Sequence, residues 1–73
     1  MSNLPRISGR IGVKALSAAG FTFLRQHGSH MILRRHEPFT RIVVPDHPEL
    51  DRGTLRSIIR QIGMTVDQFK ELL

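Results

Sequence analysis

Apolar positions recur along the chain first with a helical period, then as dense strand-like runs, then with a helical period again. Gly12, Ala15, Leu16 and Ala19 fall on one face of a helix predicted over residues 9–19, while Arg10, Lys14 and Ser17 share the opposite face. Ser8 supplies an N-cap oxygen for the first amide groups, and Gly20 suits the residue just past the end. From Phe21 the composition turns to β-formers: FTFLRQ, then SHMILRRH after Gly28, then TRIVV after the EPF turn. Three antiparallel strands with reversals near Gly28 and Pro38 account for this stretch, and Pro45 and Pro48 end the sheet.

Leu55, Ile58, Ile59 and Ile62 then match the i, i+3, i+4, i+7 template of a second amphipathic helix, with Asp51 as its expected cap and Gly63 as its stop. Thr65 and Gln68 form a T-x-x-Q capping box ahead of a short helix running to the end. The predicted fold class is α+β in the order α-β-β-β-α: a three-stranded antiparallel sheet, two helices on one face, a short C-terminal helix and an open second face. The order resembles that of the double-stranded RNA-binding domain, a likeness of topology that does not by itself fix function.

With 73 residues, a single domain over 1–73 is expected, and any large substrate must bind on its outside. The apolar fraction of 40% is that of a folded chain rather than a disordered one. There is no cysteine, so disulfides, thiolate nucleophiles and cysteine-ligated metals are excluded. MSNLPRI holds no apolar run suited to a signal peptide and no stretch suits a membrane span, so the cytoplasm is the expected compartment.

The net charge of +5 is unevenly placed. Residues 1–41 carry Arg6, Arg10, Lys14, Arg25, Arg34, Arg35 and Arg41 against Glu37 alone, or +6, whereas the remainder carries four basic and five acidic residues, or −1. A polyanion suits the first part, through Coulomb attraction and counterion release; a merely solubilising surface is the plainer reading. Arg52, Arg56 and Arg60 add a second basic stripe at i+4 spacing, suited to phosphates or simply to solvent.

Tyrosine is absent too, so four histidines and six carboxylates are the groups available for proton transfer near neutral pH. His30, after Gly28 and Ser29 and close in sequence to Arg25, Arg34 and Arg35, is the candidate base, since surrounding cations favour its neutral form. His47, between two prolines, suits either a second proton donor or a structural hydrogen bond, and His27 and His36 read as surface strand residues. His27 and His30, three apart on an extended segment, are expected to point to opposite faces, which argues against zinc. No metal or cofactor is called for. The four Phe are expected mostly in the core, which leaves little for a base-stacking platform. A helix-turn-helix DNA reader is disfavoured because Asp67 and Glu71 outweigh Lys70 on its would-be recognition helix.

The run GFTFLRQHGSHMILRR, then IVVPDH, then LDRGTLRSIIRQIGMTVDQF, resembles the HicA family of bacterial toxins, small ribonucleases (mRNA interferases) paired with a HicB antitoxin. Gly28, Ser29 and His30 match the family's G-S-H motif; Val44, Pro45 and His47 match V-P-x-H; and Gly53, Thr54, Leu55, Arg56 and Ile58 match G-T-L-R-x-I. The resemblance implies a fold like the double-stranded RNA-binding domain, His30 as the catalytic residue, mRNA as substrate and a HicB-like antitoxin as partner. In that setting a neutral imidazole removes the proton from a ribose 2′-OH, which attacks the adjacent phosphorus and expels the 5′-oxygen. Gly28, Ser29, Arg25, Arg34, Arg35, Lys14 and Arg56 are the candidate binding or supporting residues. Two other readings use the same residues: a non-catalytic RNA-binding module, and an interaction domain for an acidic protein.

Overall fold

The computed structural model describes residues 3–73; Met1 and Ser2, at the start of the expected domain and of the MSNLPRI segment, lie outside the described residues. The element order is α1 (Gly9–Ala18), β1 (Thr22–His27), β2 (His30–His36), β3 (Phe39–Pro45), α2 (Arg52–Gln61) and α3 (Val66–Lys70). The strands form one antiparallel sheet in the order β1-β2-β3. This is the predicted α+β arrangement, with helices on one face and the other face open. Among the described residues no helix is long and apolar enough to cross a membrane.

Local chemistry sets the boundaries. Ser8 accepts a hydrogen bond from the Ile11 N–H, and Gly20, at φ 97°, takes the left-handed conformation that follows α1. Asp51 stands at the N-cap of α2 but makes no side-chain capping bond, so the expected cap is positional only. Thr65 and Gln68 bond reciprocally as a capping box, although α3 stops at Lys70, short of the terminus. β1 lies one residue later than its predicted run, β2 starts one residue later, and β3 extends one residue further at each end; Phe21 is a buried linker residue rather than part of β1.

The core lies between sheet and helices. Met31, Leu33, Ile42 and Val44 project from β2 and β3 onto Ala15 and Leu16 of α1, Leu55, Ile58 and Ile59 of α2, and Phe69 of α3. Leu33, Leu16 and Phe69 are wholly enclosed. Arg35 continues the same row inward, its guanidinium 4.7 Å above the Phe21 ring and within hydrogen-bond reach of the Pro38 carbonyl and Thr40 Oγ1. At the other end of α1 the helix abuts the end of β3: a Cβ at Gly9 would run into the Pro45 carbonyl oxygen.

Candidate active site

Gly28 and Ser29 form a two-residue reversal between β1 and β2, and His27 and His30 are directly opposed across it. Gly28 has φ 59° with open space where a side chain would lie, so the turn geometry, and not crowding, demands glycine. This overturns the expectation that His27 and His30 face opposite ways. The intervening residues are a turn instead of extended chain, so the two imidazoles share the open face, on Cβ atoms spaced about 5 Å apart as in any opposed antiparallel pair. Both residues are exposed.

A β-bulge completes the placement. The β1–β2 register slips between Phe23 and Arg25, leaving Leu24 as the extra residue. Without it, period-two alternation would send Thr22, Leu24 and Gln26 to one face; with it, Arg25 and His27 join Thr22 on the open face and Gln26 turns to the other. The open face therefore reads in rows: His27, His30 and Pro45; then Arg25, Ile32 and Val43; then Thr22, Arg34 and Arg41; then His36 and Phe39.

Behind the histidine end, Asp46 ties three elements together. Its carboxylate accepts from Arg10 Nε at 3.1 Å and Nη2 at 3.3 Å, and from Gln26 Nε2 at 2.9 Å. Its backbone N–H donates to the Ser29 carbonyl at 2.7 Å, and Gln26 also donates to the Gly28 carbonyl. The turn that presents His30 is thus held from α1, β1 and the end of β3. The Arg10 hydrogen bond, and then that from Gln26, hold the Asp46 carboxyl below its ordinary value, and the same pairing raises Arg10. His47 lends its carbonyl to the Gly9 N–H at 2.9 Å and keeps its side chain exposed.

Of the expected supporting residues, Gly28 and Ser29 form the turn, and Arg25 and Arg34 lie on the face of His30. Arg35 does not: it points into the helix layer, where it is held by Phe21 and Thr40, so its proposed place beside His30 is corrected. Lys14 and Arg56 are exposed on α1 and α2, in the helix layer on the other side of the sheet; Lys14 borders a cleft with Ala18 and Leu73. The expectation for the Phe residues holds only by half, since Phe21 and Phe69 are buried whereas Phe39 is 65% and Phe23 44% exposed. Asp46 was missed because it occupies the unspecified position of V-P-x-H, and His27 because one extended segment through it and His30 leaves out the reversal expected near Gly28, which lies between them. Among the described residues no group of three or more His, Asp or Glu is placed to hold a metal ion.

These features define a class: a small α+β protein that displays an accessible histidine, buttressed from behind, at one end of an open basic sheet face. The model of the family described as the HicA toxin of bacterial toxin-antitoxin systems matches residues 9–64, from the start of α1 through α2, and includes every element of this site. The chain belongs to that family; it has the role of toxin in a toxin-antitoxin system, and its family implies an antitoxin partner. No curated protein and no solved structure matches the chain.

Proposed function

We propose that this single-domain toxin is a metal-independent endoribonuclease that cleaves mRNA, with His30 at the reacting bond, and that a HicB-like antitoxin neutralises it in the cytoplasm. The observation that carries the reading is the exposed His27–His30 pair beside Arg25, on a face that opens to solvent at the end of a braced turn. Membership of the HicA toxin family supports the same reading.

In this mechanism the neutral imidazole of His30 takes the ribose 2′-OH proton while the 2′-oxygen bonds to the adjacent phosphorus and the phosphorus–5′-oxygen bond breaks. The departing oxygen needs a proton, and in this reading His27, opposed to His30 across the ladder, gives it as an imidazolium. Arg25 offsets the charge that gathers on the phosphoryl oxygens. A partner surface rich in carboxylates, laid over this end, would block RNA both sterically and electrostatically.

The test compares end-labelled RNA and DNA of one sequence, with and without EDTA. RNA is expected to be cut at the same rate in EDTA and DNA to be left whole, because DNA lacks the 2′ nucleophile. Loss of cutting in EDTA, or cutting of DNA, would refute the mechanism.

A further inference from the structure

The last two rows of the open face lie at the end remote from His30, and the proposed cleavage does not use them. Arg34 and Arg41 are directly opposed on β2 and β3. Like charges directly opposed weaken a sheet. Among the described residues neither has a carboxylate within ion-pair distance, Arg10 with Asp46 being the single salt bridge there. One row further on, His36 and Phe39 are opposed, their ring centroids 6.4 Å apart and their planes tilted by 56°. Phe39 is 65% exposed, more than any other large apolar side chain among the described residues. Glu37, the nearest carboxylate in sequence, lies in the β2–β3 turn.

We infer that this end is a second subsite for single-stranded RNA, in which Arg34 and Arg41 grip one phosphate and the Phe39 ring, braced by His36, stacks on the neighbouring base. Two guanidinium groups converging on one anion turn a repulsive pair into a charge-assisted clamp, and planar forks suit phosphate oxygens. An exposed aromatic ring beside them offers a base a stacking surface that is indifferent to sequence. Val43, 46% exposed, floors the stretch between the two ends with apolar surface. The bases must be splayed to reach Phe39, so a single strand is specified and a duplex is not. His30 and His36 are six residues apart on one strand, about 20 Å, so the cut and the stacked base are separated by several nucleotides. The subsite deepens the ribonuclease reading and rests on it for its role in substrate choice, but its occupancy can be measured apart from cleavage.

Binding is read by fluorescence anisotropy with a labelled single-stranded RNA of about eight nucleotides, within the range of site sizes for a single-fold groove, in a His30→Ala background whose cutting is too slow to deplete the probe during the measurement. Phe39→Ala is expected to weaken binding about tenfold and Phe39→Trp to restore it. Arg34→Gln with Arg41→Gln is expected to weaken binding and to lower the salt slope by about 0.7, the contribution of one phosphate on a single strand. With His30 present, Phe39→Ala is expected to lower the ratio of kcat/KM for the octamer to that for a dinucleotide, which is too short to span the face, about tenfold. Octamer affinity unchanged by Phe39→Ala overturns the subsite, and so does a loss confined to an acidic protein partner, which would reassign the face to protein docking. A chain that binds with this dependence yet never cuts RNA refutes the enzymology and keeps the subsite; one that cuts without it does the reverse.

Discussion

The two faces of β2 are built from alternate residues of one heptapeptide and obey different rules. Inward, Met31 and Leu33 are buried among helix side chains and Arg35 is spoken for by Phe21 and Thr40. Outward, His30, Arg34 and His36 flank a single buried apolar residue, Ile32, which lies outside the main core cluster. Packing explains every inward residue. It does not explain an outward face with opposed arginines and an exposed phenylalanine, and residues kept against the interest of stability point to a ligand.

The contrast breaks most readily on the inward side. Leu33→Ala should cost about 2–5 kcal/mol, because the emptied space lies in the central strand under both helices. In a chain this small that is most of the stability, and a thermal melt should show little residual folding. Gly9→Ala should cost about 1–3 kcal/mol, since the new methyl meets the Pro45 backbone carbonyl, which cannot swing away as a side chain can. Chemical denaturation of the two variants would rank them; a Gly9→Ala chain as stable as wild type would mean that α1 is not held against β3 as described.

Asp46→Asn sharpens the comparison through pH. The carboxyl is held below its ordinary value in the folded chain, so it favours folding above the ordinary aspartate range, near pH 4, and that contribution is lost as pH falls through the lowered folded value. Melting temperatures of wild type and Asp46→Asn should therefore differ most near neutrality and converge as pH falls through that lowered value. A gap that persists in acid would assign the effect to shape instead of charge. The smallest effect belongs to the outward face: Arg41→Gln relieves the opposed arginines and should leave stability unchanged or raise it by about 0.2–1 kcal/mol, while RNA affinity falls.

The fold was legible wherever a signal is local. Leu55, Ile58, Ile59 and Ile62 declare α2 by spacing, Thr65 and Gln68 declare the start of α3, and Gly28 and Pro38 mark both reversals. Side-chain direction was not legible. The bulge at Leu24 exchanges the two faces of β1 beyond it, and only cross-strand register reveals the exchange. Arg35 shows the same limit, since a string of two arginines cannot say which one faces in. For the site, the G-S-H motif singled out His30, but the partners that brace it, Gln26 and Asp46, are twenty residues apart and meet only in the folded chain.

The central claim is that the His30 imidazole does the chemistry while contributing nothing to the core. Single-turnover cleavage of one labelled RNA by wild type and His30→Ala, with a melting curve for each, tests it most directly. The account predicts a rate lower by about 10²–10⁴ with an unchanged melting temperature. Equal rates would contradict it, and so would a rate loss accompanied by loss of fold.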